Sequence, residues 1–154
     1  MTETEPFNRA MVVVAHADDA EWGSSGTVAK WCRNGTEVTY VLCTNGSKGS
    51  DDLSISSEEL IKIREAEQLA AAKVLGVKQV IFLGYEDSML QPTLDLRRDI
   101  VRQIRTYRPD ILICPNPVRS VIFSTISFVV FFCAVARQVR MKIHPGPSCV
   151  NRKS

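Results

Sequence analysis

Histidine is nearly absent from this chain: of 154 residues only two are histidine, His16 and His144. The five cysteines (Cys32, Cys43, Cys114, Cys133 and Cys149) are odd in number and contain no C-x-x-C pair. That argues against a disulfide framework and against a cysteine zinc knuckle. Cys43 and Cys114 end apolar runs and are expected to be core thiols. The N-terminal residues are acidic and lack the basic start and apolar stretch of a signal peptide, so a cytoplasmic protein is expected. A formal net charge of +2 and a pI near 8.3 give no case for a nucleic-acid partner. Acids are missing from one region altogether. All seventeen lie at or before Asp110, against thirteen of the nineteen basic residues, so that part carries −4. Residues 111–154 carry six basic residues and no acid. The chain changes character there.

What is present reads as one domain, long enough to bury a core without covalent staples. Residues 11–15 form a short apolar run, β-branched in its middle, as a strand buried on both faces would. A polar, glycine-rich turn is expected next, then a helix over 26–34 stopped by Asn34-Gly35. Residues 38–44 read as a second strand and 45–52 as a loop. Ser56 and Glu59 make a capping box that opens a long helix, ended by Gly76. Residues 80–83 read as a third strand, 94–107 as an amphipathic helix closed by Pro109, and 111–114 as a fourth strand. Strand and helix alternate throughout. The pattern predicts an α/β fold: a Rossmann-like, doubly wound, mainly parallel sheet with helices on both faces. In such sheets ligands bind beyond the carboxyl ends of the strands.

His16-Ala17-Asp18-Asp19 stands at the end of the first strand. An imidazole and two carboxylates at the mouth of a buried strand are costly without partners. Imidazole nitrogen and carboxylate oxygen suit Zn²⁺, and another carboxylate close by can take a proton from an attacking water. Spacing alone leaves magnesium, manganese or a plain solvated turn open. Arg64, by itself, reads equally as a helix-surface residue paired with nearby glutamates. Asp87 reads as a turn cap.

Ala15-His16-Ala17-Asp18-Asp19 followed by Gly23-Ser24-Ser25-Gly26-Thr27 resembles the A-H-P-D-D…G-G-T signature of the PIG-L/LmbE-like N-acetylglucosaminyl deacetylases, with Ala17 in place of proline. The likeness covers about residues 10–119. It includes the glycine-containing loop from Thr44 to Gly49, Arg64-Glu65 with Ala70-Ala71-Ala72 and Leu75-Gly76, the loop Gly84-Tyr85-Glu86-Asp87, and Arg108-Pro109-Asp110 with Pro115-Asn116-Pro117. The resemblance implies that His16 and Asp19 bind zinc, that Asp18 is the general base, and that Arg64 and Asp87 contact sugar hydroxyls. It implies hydrolysis of an N-acetyl group on a small GlcNAc-type amino sugar or conjugate.

Beyond residue 119 the likeness fails. The family takes its third zinc ligand from an H-x-x-H motif after the Pro-Asn-Pro segment, and residues 120–136 contain neither histidine nor acid. His144, in His144-Pro145-Gly146-Pro147, keeps two letters of the family's H-P-D-H and is expected to lie in an exposed tail. The deacetylase-like domain is therefore assigned to 1–119, with 120–154 as a divergent, apolar then basic tail and the fold truncated there. The apolar stretch 121–136 has three readings: a core element, a short membrane segment, or sequence foreign to the family through a frameshift or misjoining. A bilayer span needs about 20 residues, which argues against the membrane reading. A chain deprived of its third ligand could instead act as a non-catalytic binding module. A second copy supplying the histidine keeps a homo-oligomer among the readings. A nucleotide-binding protein is disfavoured, because Gly23-Ser24-Ser25-Gly26 is not G-x-G-x-x-G.

Overall fold

The computed structural model describes residues 7–52, 54–115 and 140–144. Elements follow in the order β1 (Arg9–Val14), α1 (Asp19–Arg33), β2 (Glu37–Thr44), α2 (Ser57–Leu75), β3 (Gln79–Tyr85), α3 (Leu94–Tyr107), β4 (Ile111–Pro115) and β5 (Arg140–His144). The strands form one sheet in the order β3-β2-β1-β4-β5, and every described pairing is parallel. The expected Rossmann-like architecture is therefore present. β1 lies between β2 and β4, where successive crossovers depart in opposite directions. Its carboxyl end is the switch point at which such sheets bind ligands.

Alternation along the central strands divides the core. Met11, Val13, Val41, Cys43, Leu112 and Cys114 face Leu96, Ile100 and Ile104 of α3. The intervening residues Ala10, Val12, Val14, Val38, Tyr40, Leu42, Ile111 and Ile113 pack with Val28 and Trp31 of α1. Successive side chains of a strand point to opposite faces, so both faces must be apolar when helices cover both. Cys43 and Cys114 are core thiols, each pushed up to about 12 by burial. Asp110 ties the starts of two strands together: its Oδ2 accepts from the backbone N–H groups of Asn8 (3.1 Å) and Arg9 (2.9 Å).

Most boundaries follow local chemistry. Ser56 caps α2 by accepting from the Glu59 N–H at 3.2 Å, and Gly76 ends it with a left-handed φ of 81°. The main departure is α1, which starts at Asp19 and so absorbs the stretch expected to be a glycine-rich turn. Ala20, Ser24, Val28 and Trp31 make a helical buried stripe, and that packing outweighs the low helix propensity of two glycines. β5 was not expected, since the folded domain was assigned to end at 119. The apolar stretch 121–136 lies outside the described residues, and with it the choice between its three readings. No helix among the described residues is long and apolar enough to cross a membrane.

Two glycines of unlike surroundings test this description. A Cβ added at Gly26 would meet nothing within 4 Å, whereas at Gly76 it would meet the Cys32 Cβ at 3.1 Å on a left-handed backbone. Gly26→Ala is expected to stabilise by about 0.5–1 kcal/mol, roughly 2–4 °C in Tm. Gly76→Ala is expected to destabilise by about 1–2 kcal/mol or more. Thermal unfolding of the two variants checks both signs. A fall in Tm for Gly26→Ala would contradict the helical assignment of residues 19–26.

Candidate active site

The first strand delivers its histidine directly to the switch point, two residues after Val14. The Ala15 carbonyl is held by the Thr44 N–H and hydroxyl, each at 2.9 Å, so the ends of β1 and β2 are fixed to one another. Immediately beyond, the His16 ring lies between two carboxylates. Its Nδ1 is 3.3 Å from Asp19 Oδ2, and its Nε2 is 3.0 Å from Asp87 Oδ1. Asp19 Oδ2 also accepts from the His16 backbone N–H at 3.0 Å, which fixes the carboxylate over its own turn.

Asp87 comes from the loop after β3 and is only 6% exposed. A buried carboxylate must be supplied with donors. Besides His16, it accepts from the N–H groups of Ser88 (Oδ1, 2.7 Å) and Lys48 (Oδ2, 3.2 Å). The Asn45 side-chain oxygen accepts from the N–H groups of Asp87 and Ser47, joining the loops after β2 and β3. Asp87 is thus both the expected turn cap and the partner of the His16 ring. The second role has no local signature, because Asp87 lies 71 positions along the chain from His16.

Asp18 precedes α1 with φ 77°, a left-handed conformation rare for a residue with a side chain. Its carboxylate caps nothing in the helix. Instead, Oδ2 accepts from Arg64 Nη2 at 3.2 Å, and Arg64 Nη1 donates to Glu67 at 3.2 Å. Arg64 lies along the loop after β2, where Cβ atoms added at Gly46 and Gly49 would come within 3.6–3.7 Å of it. The glutamate pairing read from the sequence is real, yet the guanidinium also reaches the site. Trp22, one turn beyond Asp18, is 84% exposed at the rim, whereas Trp31 is buried and meets Phe7 edge-on. Glu21 and Gln68 also reach the Asp18 turn, and neither was singled out from the sequence. The available signal was helical spacing, since Gln68 stands four residues after Arg64.

The two donors suit a tetrahedral zinc. Ligands at about 2.0–2.1 Å from such an ion lie roughly 3.3 Å apart, the separation found between His16 Nδ1 and Asp19 Oδ2. Nε2–H donation to Asp87 leaves the Nδ1 lone pair of a neutral ring facing Asp19, the tautomer a metal requires. Both groups keep some exposure, 31% for His16 and 22% for Asp19. Among the described residues no group of three such side chains could hold a metal ion. His16 and Asp19 would supply two of the three protein donors such a site ordinarily uses. The backbone puts His144 at the end of β5, in register with Pro115, on the same sheet edge.

The hydrogen bond to Asp19 raises the His16 pKa most; burial opposes it, and the charges of Asp19 and Asp87 add to the rise. In the chelator-treated chain His16 is expected to titrate above its ordinary 6.5, and Asp87→Asn is expected to lower the midpoint. The folded value exceeds the unfolded one, so the stabilisation is full below about 6.5 and fades as pH rises through the folded value. Proton NMR of a chain with two histidines reads this directly. A native midpoint at or below 6.5 would contradict the arrangement.

Comparison with known proteins gives a consistent result. The family described as PIG-L, GlcNAc-PI de-N-acetylase, matches residues 11–121. The diacetylchitobiose deacetylase of Thermococcus kodakarensis is 38% identical over 116 residues, covering 73% of this chain and 43% of that protein. A probable N-acetyl-alpha-D-glucosaminyl L-malate deacetylase 2 of Bacillus anthracis is 30% identical over 112 residues, covering 70% and 50%. The solved structure of N,N'-diacetylchitobiose deacetylase from Pyrococcus horikoshii, in complex with its inhibitor MPG, superposes with a TM-score of 0.81 at 30% identity. It covers 86% of this chain and 51% of its own. The chain thus spans about half the length of the relatives it matches. With the signature at His16, the switch-point geometry and these likenesses in agreement, the chain belongs to the PIG-L family.

Proposed function

We propose that this chain is built to remove an N-acetyl group from a GlcNAc-type amino sugar or conjugate, with zinc held by His16 and Asp19 and with Asp18 as general base. The observation that carries the reading is the 3.3 Å approach of His16 Nδ1 to Asp19 Oδ2 beside a separate, exposed carboxylate. Zinc in such a site supplies Lewis acidity, polarising the amide carbonyl and acidifying water. The chain's own residues do the rest. Asp87 orients the His16 ring through Nε2. Asp18, 69% exposed and adjacent to the donors, is placed to take the proton of the attacking water. It then returns that proton to the departing amine nitrogen, so acetate and a free amino sugar leave.

Arg64 has two tasks in this reading. Its Nη2 holds Asp18 Oδ2 at 3.2 Å, and its remaining N–H groups can donate to sugar hydroxyls. The exposed ring of Trp22 offers a sugar an apolar face at the rim. Asp87 has the weaker case as a sugar contact, because both its oxygens already accept hydrogen bonds within the protein.

One observation favours a second reading. Among the described residues no third metal donor joins His16 and Asp19, so the same edge would serve a chain that binds a glycan without cleaving it. Amine release from N,N'-diacetylchitobiose by the zinc-replete full chain separates the two. Release that stops with a chelator, returns with zinc, and falls about 10²–10⁴-fold in Asp18→Asn is expected. Retention of the sugar without release would favour the binding module.

A further inference from the structure

Asp18 occupies a left-handed backbone conformation that is uncommon for a residue with a side chain. A hydrogen bond to its peptide lies buried under the turn. The Asp18 N–H donates to Gln68 Oε1 at 3.1 Å, and Gln68 is 2% exposed on the inner side of α2. The Gln68 amide is fixed in turn from its other end: Nε2 donates to Glu21 Oε1 at 2.8 Å, from the first turn of α1. Fixing one end of an amide decides which atom the other end presents. With Glu21 accepting from nitrogen, Gln68 must offer oxygen to Asp18.

The underside of this pair is closed. Glu21 Oε2 and the hydroxyl of Tyr40 are both buried, and among the described residues neither has a hydrogen-bond partner. Burial, followed by the nearby charge of Glu21, raises the Tyr40 pKa well beyond its ordinary range. Glu21 Oε1 is the acceptor that engages the Gln68 amide nitrogen. The chain of hydrogen bonds runs from Glu21 of α1 through Gln68 of α2 to the Asp18 N–H, and it includes neither His16 nor Asp19.

We propose that Gln68, locked by Glu21, is a positioning residue that holds the Asp18 peptide left-handed and so keeps the Asp18 carboxylate on Arg64, separate from the His16–Asp19 pair. The inference rests on the reading of Asp18 as general base. Its geometric half, the peptide clamp, can be measured without turnover.

The experiment uses the full zinc-replete chain and its Gln68→Met variant, which keeps the length of the side chain and removes its amide. Hydrogen exchange of the Asp18 amide is measured beside turnover of N,N'-diacetylchitobiose. The variant is expected to lose protection at Asp18 and to lose about 10–100-fold in kcat, with KM nearly unchanged. The exchanged pair Glu21→Gln/Gln68→Glu restores the acceptor for Asp18 and keeps a hydrogen bond between the two side chains with its direction reversed, and is expected to recover much of the lost kcat. A merely structural role would lower Tm without that rescue. A folded Gln68→Met chain with native Asp18 protection and native kcat overturns the proposal. If that variant does not fold, the native chain decides: a protected Asp18 amide supports the clamp, and an amide exchanging as an open loop does overturns it. A clamp visible by exchange in a chain with no turnover would reject the deacetylase reading and leave the clamp standing.

Discussion

The candidate site depends on one imidazole held between two carboxylates at the exit of the central strand. His16 meets Asp19 through Nδ1 and Asp87 through Nε2, and those contacts need different parts of the fold in register. Asp19 is supplied locally, by the turn into α1. Asp87 arrives from β3, two strands away, and is kept in place by Asn45 and Lys48 after β2. A buried carboxylate without these donors would be expelled or neutralised. The loops after three strands are therefore coupled through a single ring, and disturbing any one of them changes what Nδ1 presents to solvent.

Function follows from the difference between the ring's two sides. The Asp87 side is enclosed and saturated with hydrogen bonds, so it orients. The Asp19 side keeps access to solvent, so it can bind. Asp18 faces elsewhere, tied to Arg64 and aimed by its own backbone, and so keeps a carboxylate free of the donor pair. Two carboxylates adjacent in sequence thus stand in unlike settings, Asp19 against the imidazole and Asp18 against the guanidinium. All of these parts come from residues 16–87, within the 11–121 matched by the PIG-L family. A chain about half as long as its relatives thus carries His16, Asp18, Asp19 and the residues that hold them.

Sequence reasoning reached the architecture because its signals are local and strong. Continuous apolar runs marked the parallel strands, and Ser56, Gly76 and Pro109 marked helix ends. It singled out His16 and Asp19 through the likeness of residues 15–19 to the family's A-H-P-D-D signature, and the two side chains meet at 3.3 Å. It misplaced the start of α1, since glycines at 23 and 26 say turn while the buried stripe from Ala20 to Trp31, visible only once packed, says helix. It missed the joining of Asp87 to His16, and of Gln68 to Asp18, because partners 71 and 50 positions apart meet only through tertiary structure. β5 was hidden by the loss of the family likeness beyond residue 119, where the domain was expected to end.

Zinc content is the most direct test of whether this edge is a metal site. The full 154-residue chain, made zinc-replete, desalted and analysed for metal, is expected to retain about one zinc per chain, and His16→Ala is expected to retain none while still folded. A native chain that is folded yet holds no zinc, or a His16→Ala chain that holds as much as the native, would contradict the account.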